Sequence, residues 1–215
     1  MGTSLTLAHY LLILQGAGWT IILSLMGFIG GTVVGLPIAI GRISDSKALR
    51  RALSLYIALI QGIPLPILMF LCYFGISVAG FDLPALVAAG LAMTAYSSAY
   101  LAEIWRGALQ SVPKAQWEAA ECLALTRTQR MWHVILPQAV KISIPPTIGF
   151  LVQIVKNTSY AVVIGFAELT YTARLINNST FKPFIVFSVA AALYFALCYP
   201  LSHYARRLER KLKRA

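Results

Sequence analysis

The chain has 215 residues, of which 59% are hydrophobic and only 12% are charged. Soluble domains carry about 25% charged residues, so this composition excludes an ordinary soluble protein and indicates an integral membrane protein. The net charge of +11 does not indicate a nucleic-acid partner, because the basic residues cluster beside apolar blocks. The three cysteines are widely spaced and form no Cys/His pattern, so neither a disulfide nor a metal site is expected.

Five apolar blocks approach or exceed the roughly 20 residues that a helix needs to cross a bilayer, and none alternates with the period of a barrel strand. We therefore predict an all-α integral membrane protein, with five transmembrane helices in a single domain of residues 1–215. The predicted spans are about Gly18–Gly41, Ala52–Phe74, Leu83–Leu101, Ile142–Gly165 and Pro183–His203.

Three features modify this plan along the chain. The apolar segment Leu5–Leu14 is too short to cross a membrane, so we expect a separate helix at the membrane interface. In the second span, Gly62, Pro64 and Pro66 are expected to kink the helix. The segment "ELTYTARLINNSTFK" predicts a polar loop before the fifth span. The N-terminus lacks the basic region and cleavage site of a removable signal, so none is expected.

The basic residues predict the orientation. Fifteen of the eighteen lie in residues 42–51, in residues 102–141 or in the C-terminal tail, and short basic loops stay in the cytoplasm. The N-terminus is therefore predicted to be periplasmic and the C-terminus cytoplasmic, which agrees with an odd number of spans. The expected location is the inner membrane of a bacterium, as a multi-pass protein, with a Gram-positive cell membrane as the alternative.

The long polar section 102–141 contains a predicted pair of short helices. Pro113 is placed to begin a helix near Lys114, and a second helical run that includes Trp132 is expected to stop or turn at Leu136-Pro137. Such a pair would form a docking surface for another protein, and an ordinary solvated loop is the alternative. The small apolar patch of the first helix comprises Ala119, Ala120 and Leu123.

The spacing in this section resembles the EAA loop of ABC importer permeases. Glu118-Ala119-Ala120 is followed after three residues by Ala124, after nine more by Val134, and after one more by Leu136-Pro137. The family pattern has glycine and isoleucine where this chain has Ala124 and Val134. The spacing itself is unbroken.

Other segments resemble the permeases of polar amino acid importers, from about Gly16 to Leu212. They are "GAGWTIILS", "YIALIQGIPLPILMFLCYFG", "AYLAEIWRGALQSVPKAQWEAA", "VILPQAVKISIPP" and "IVKNTSYAVVIGFAELT". The chain departs from the family at Gln61 for arginine, Ile63 for threonine, Ala115 for glycine and Gly149 for asparagine.

The resemblance implies the fold of a type I ABC importer permease, with a cytoplasmic coupling helix in the EAA loop, about residues 113–138. It implies three protein partners: a dimer of ABC ATPases, a second permease subunit and a periplasmic binding protein. An unequal permease pair is favoured, with a homodimer as the alternative. The residues implied to couple to the ATPase are Glu118, Ala119, Ala120, Leu123, Ala124, Leu136 and Pro137.

The chain contains no phosphate-binding loop of the Gly-x-x-x-x-Gly-Lys type, so ATP hydrolysis is assigned to a partner. No catalytic residue and no bound cofactor are expected in this chain, with ATP and Mg on the ATPase. The predicted function is the transmembrane subunit of an ATP-driven importer of a polar amino acid or a derivative. An ion channel or a non-transporting membrane scaffold is the alternative.

Candidates for the transport pathway are polar residues inside the predicted spans. Lys156 lies about 20 Å into the fourth span, where a charge is costly unless it faces a cavity or a partner. Snorkelling, or a pair with Glu168, is the alternative for Lys156. For Glu103 and Arg106, three residues apart, an ion pair is favoured over a gate. The pathway candidates are Lys156, Asn157, Thr158, Ser159, Gln61, Tyr96 and Ser97, with helix packing or a plain kink as the alternative for the last three.

Overall fold

The structure, a computed structural model, describes residues 5–212 of the chain, which are helical throughout apart from short connections. Four of the helices are long and apolar enough to cross a membrane, and a bent pair supplies a fifth span if it counts as one. The helices of the described range are α1 (Leu7–Arg42), α2 (Lys47–Gly62), α3 (Leu65–Val78), α4 (Ala85–Ser111), α5 (Lys114–Cys122), α6 (Arg127–Ile164), α7 (Leu169–Thr180) and α8 (Pro183–Leu212).

The first helix is longer than predicted. α1 is a single helix of 36 residues that includes both the Leu5–Leu14 region from Leu7 onward and the predicted first span. Ile13 is buried in a cluster with Ala173 of α7 and Val186 of α8. The prediction of a separate interfacial helix is therefore wrong, because tertiary contacts hold this segment as the first turns of the span.

The second span is broken at the predicted place. α2 and α3 meet at an angle of 101° across Ile63 and Pro64, both of which have extended backbone angles. Pro64 lacks the N–H that a helix needs, and a residue before proline avoids the helical region. The predicted kink is confirmed, and it is sharp enough to divide the span into two helices.

Two other segments are more helical than predicted. α4 continues to Ser111, past the predicted end at Leu101. The predicted polar loop before the last span contains α7, whose N-terminus is capped by the Glu168 carboxylate through the N–H groups of Thr170 and Tyr171. α8 begins at Pro183 as predicted. Residues 213–215 of the basic C-terminal tail, which enter the orientation argument, lie outside the described residues.

The bundle is assembled around a close contact between α1 and α4. Gly27, Gly31 and Gly35 recur every four residues on α1, so they line one face of the helix. They lie against Met93, Ser97 and Ser98 of α4, and both serines have no exposed surface. A Cβ at Gly35 would stand 2.9 Å from the Ser98 carbonyl oxygen and 3.3 Å from its Cα. Because these three positions of α1 are glycines, the backbones of α1 and α4 can approach closely, as in other tightly packed membrane helices. We call this contact the glycine seam.

The glycine seam predicts that Gly35→Ala destabilises the protein by about 1–3 kcal/mol, because the new methyl group meets backbone atoms that have little room to move. Gly18→Ala is the matched control, since a Cβ there meets no atom within 4 Å. Thermal unfolding in detergent checks the difference. Equal stability of the two variants would contradict the close approach.

Candidate functional site

The predicted docking helix is formed. α5 begins at Lys114 directly after Pro113, as predicted. Leu123, the residue that follows the helix, is 74% exposed, and Ala119 is exposed as well. Ala120, however, is only 2% exposed. The predicted patch is therefore partly wrong: Ala120 packs within its own chain, and Ala119 and Leu123 are the apolar positions that a partner can reach.

Glu118 lies on the exposed surface of α5. It lies beyond the first turn, which contains no acidic residue, so Glu118 does not cap its own helix. Among residues 5–212, no hydrogen bond or ion pair to its carboxylate is found. The side chain is therefore available to a partner protein.

The end of α5 explains the first departure from the family pattern. Ala124 has a positive φ of 53°. Its N–H donates to the Glu121 carbonyl at 2.9 Å, and the Leu125 N–H donates to the Ala120 carbonyl at 3.3 Å. This pair of bonds is the Schellman ending of a helix, in which glycine is usual at the position of positive φ. This chain therefore places an alanine in a helix-ending conformation that costs about 1–2 kcal/mol for a residue with a side chain.

The Leu136-Pro137 pair does not stop the second helical run, so the prediction of a stop is wrong. α6 continues from Arg127 to Ile164 as one helix. Its turns over Arg130–Ile135 are wide, and the Leu136 N–H donates to the Met131 carbonyl, five residues earlier. A proline in a regular helix clashes with the carbonyl four residues before it, and a wide turn relieves such clashes. The chain thus passes from the loop into the membrane without a break.

Two ion pairs and an apolar cluster hold the loop in place. Glu121 at the end of α5 pairs with Arg130 of α6 at 3.0 Å. Arg127 pairs with Asp45 between α1 and α2 at 2.5 Å, and the hydrogen bond from Arg127 lowers the pKa of the Asp45 carboxyl. Beneath them, Val112, Ile135 and Ala139 form a buried cluster. The two basic loops therefore lie at the same end of the bundle, as the charge pattern requires.

A charged network ties three helices together at this same end. The predicted ion pair is formed: Glu103 accepts from Arg106 Nε at 3.0 Å and from its Nη2 at 2.5 Å. Arg42, at the end of α1, also donates to Glu103, at 3.2 Å, and its guanidinium further bonds Ser54 of α2. The role of Arg42 in this network is not predictable from a local pattern, because its partners Ser54 and Glu103 are distant in the chain. The network is well placed to fix the relative positions of α1, α2 and α4.

The predicted intramembrane charge is exposed. Lys156 lies at the surface of α6. The alternative that pairs it with Glu168 is wrong, since no ion pair joins them in the described part of the chain. Glu168 is fully buried, and its carboxylate accepts from two N–H groups of α7 and from the Tyr194 hydroxyl at 2.9 Å. Burial raises the pKa of Glu168 above its usual value, and these hydrogen bonds counteract the rise.

The other pathway candidates lie in two groups. Asn157 accepts from Gln153 at 2.9 Å and interacts with Tyr96, whose ring lies 4.5 Å from that of Tyr100. Together these residues form a polar, aromatic contact surface between α4 and α6, in which Asn157 is buried.

The remaining candidates are separate from that surface. Ser97 lies in the glycine seam, and the Thr158 hydroxyl is buried and donates to the Val155 carbonyl. Ser159 likewise donates to its own helix, to the Lys156 carbonyl. Gln61 is exposed beside the break between α2 and α3.

The geometry at Ala124 predicts that Ala124→Gly stabilises the loop by about 0.5–1 kcal/mol, because glycine adopts positive φ without strain. The control is Ala119→Gly, which places glycine inside α5 and is expected to destabilise it by a similar amount. Hydrogen exchange of the backbone amides of α5 measures both changes. Faster exchange in Ala124→Gly would contradict the assigned helix ending.

Comparison with known proteins agrees with this arrangement. Residues 31–214 match the family described as the binding-protein-dependent transport system inner membrane component. The probable amino-acid ABC transporter permease YckA of Bacillus subtilis (strain 168) is 35% identical over 209 residues, which are 97% of this chain and 92% of that protein. The probable glutamine ABC transporter permease GlnM of the same organism is 36% identical over 215 residues, 100% of both chains.

A solved structure is similar over the whole bundle. The crystal structure of an amino acid ABC transporter with histidines contains a chain that is 32% identical, with a TM-score of 0.91, over 97% of this chain and 100% of that chain. These likenesses support an importer permease over an ion channel. The chain belongs to the binding-protein-dependent transport system inner membrane component family, as a membrane-spanning permease subunit of an ABC transporter.

Proposed function

We propose that this permease imports a polar amino acid or a close derivative, received from a periplasmic binding protein and driven by a separate ATPase dimer. The observation that carries the proposal is the exposed α5, with Glu118, Ala119 and Leu123 at its surface, at the charged end of the bundle. The substrate class is supported by the relatives, which are named as glutamine and amino-acid permeases. ATP and Mg are assigned to the partner ATPase, and this chain is expected to bind no cofactor.

α5 is connected to two long helices, so its motion can be passed to both of them. α5 is joined to α6 by the Glu121–Arg130 pair, and α6 continues without a break to Ile164. On the other side, α5 follows α4 after only Val112 and Pro113. A displacement of α5 by a closing ATPase would therefore be passed to both helices, and through them to the polar surface that contains Tyr96 and Asn157. Leu136 and Pro137 lie within α6, where the wide turn before them keeps the helix continuous.

The orientation is part of the proposal. The ends joined by the Asp45–Arg127 and Arg42–Glu103 pairs carry most of the basic residues, and positive loops stay in the cytoplasm. This end is therefore assigned to the cytoplasm and the N-terminus to the periplasm, in the inner membrane of a bacterium.

A second permease subunit is required to complete the pathway, and we propose an unequal pair. The support is Ala124, an alanine that replaces glycine in a strained backbone conformation. One subunit of an unequal pair tolerates such a departure if its partner keeps the unstrained loop. An identical pair is the alternative, and isolation of the complex with mass spectrometry of its subunits distinguishes them.

The proposed pathway lies between α4 and α6. Tyr96 and Asn157 provide its polar surface. Lys156 provides a positive charge, and Gln61 provides a polar group beside the helix break. The buried or helix-bonded Ser97, Thr158 and Ser159 are proposed to hold these residues in position. A water-lined cavity would tolerate the break in the helix at Ile63 and Pro64, which lies beside Gln61.

The coupling assignment predicts that Ala119→Trp weakens retention of the ATPase by about tenfold or more, because the indole blocks close approach at an exposed small residue. Ala79→Trp, at an exposed position in the connection to α4, is the matched control. Co-purification of the ATPase and ATP-driven uptake in proteoliposomes measure both steps. Retention and uptake equal to the wild type in Ala119→Trp would contradict the docking role of α5.

The pathway assignment predicts that Lys156→Met lowers amino acid uptake about tenfold with the complex intact, because a charged hydrogen bond to the substrate carboxylate is lost. Lys156→Arg is expected to retain part of the activity. Lys182→Met, which removes a basic residue directly before α8, is the control. Full uptake in Lys156→Met would leave Lys156 with a snorkelling role only.

A further inference from the structure

A cleft of about 630 Å³ separates the charged-end halves of α6 and α8. Its walls are mainly apolar, and its two charged residues are Arg206 and Glu209 of α8. The lining residues that matter here are Pro145, Pro146, Gly149, Val152, Arg206 and Glu209.

The cleft is present in part because α6 has a glycine, Gly149, where it faces the cleft. Gly149 has no side chain, and a Cβ built there meets no atom within 4 Å. Farther along the same helices, Val152, Val155 and Cys198 pack into a cluster that closes the gap. The cleft is therefore shut toward the middle of the bundle and open toward the end that carries the basic residues.

The length of the cleft matches one leaflet of a bilayer. It extends along α6 from Ile142 to Val152, which are ten helical steps apart, or about 15 Å at a rise of 1.5 Å per step. The hydrocarbon core of a bilayer is about 30 Å thick, so one leaflet contributes about 15 Å. An acyl chain that entered beside α8 would fill the cleft to its closed end.

The charges at the open end favour an anionic headgroup. Arg206 lines the cleft, and Lys141 precedes the first lining residue of α6. The last turns of α8 contain further basic side chains, whereas Glu209 is the only acidic residue among them in the described part of the chain. The basic residues are Arg207, Arg210 and Lys211. Basic residues close to a membrane surface attract anionic lipids, by about 1 kcal/mol each.

We propose that the cleft between α6 and α8 binds an anionic phospholipid, with one acyl chain along Gly149 and the phosphate at Arg206. The cleft is apolar at its closed end and basic at its open end, which suits a lipid better than a wholly apolar helix of another protein. Assignment of the site to the cytoplasmic leaflet rests on the proposed orientation. The binding itself does not.

The test uses the complete transporter, reconstituted in vesicles of equal parts phosphatidylglycerol and phosphatidylcholine and then extracted for native mass spectrometry. Wild type is expected to retain phosphatidylglycerol in preference to phosphatidylcholine. Arg206→Gln is expected to lower that retention about fivefold. Arg207→Gln, which alters the next residue but not the lining, is the control and is expected to change retention much less.

A second pair of variants tests the acyl chain. Gly149→Leu is expected to fill the cleft and abolish retention of the lipid, since the glycine has open space before it, whereas Gly18→Leu is expected to leave retention unchanged. Equal retention of the two lipids, or wild-type retention in both Arg206→Gln and Gly149→Leu, would overturn the proposal. Cross-links from the lining to a second permease subunit, without retained lipid, would overturn it as well. None of these readouts depends on the transported substrate.

Discussion

The arrangement of the whole bundle depends on the close contact of α1 with α4. Apolar side chains gain nothing by leaving lipid for one another, so membrane helices associate through close packing of small residues. Gly27, Gly31 and Gly35 provide such a surface, and Ser97 and Ser98 of α4 fill it. With α1 and α4 fixed, Arg42 reaches Glu103 at their charged ends. Because α5 comes directly after α4 in the chain, the glycine seam also helps to position α5.

At the charged end of the bundle, a network of ion pairs holds three helices together, and α5 lies exposed beside it. Glu103 and its two arginines hold three helices, while the Asp45–Arg127 pair is exposed and therefore weak enough to separate during a conformational change. α6 differs from both, because it continues from the loop into the membrane in one piece. In the proposed mechanism, motion of α5 is passed to both α6 and α4, and the contact between α4 and α1 is kept.

Local rules predicted much of this fold, and distant contacts account for what they missed. Pro113 and Pro64 act through their own backbone, so the start of α5 and the break in the second span were predictable. Leu136-Pro137 failed as a stop because a wide turn before it admits the proline. The burial of Ala120 and the hydrogen bond from Tyr194 to Glu168 depend on neighbours that no local pattern reveals. The spacing of glycines on α1, by contrast, is a local pattern that indicates close helix packing.

The most direct test uses the chain's own Cys122, which is exposed at the end of α5, whereas Cys72 is half-buried and Cys198 is buried. Labelling with a membrane-impermeant maleimide would be compared in inside-out and right-side-out vesicles, with and without the bound ATPase. The account predicts that Cys122 is labelled only in inside-out vesicles, and that the ATPase protects it. Labelling from the outside, or an unchanged rate with the ATPase bound, would contradict the coupling role of α5.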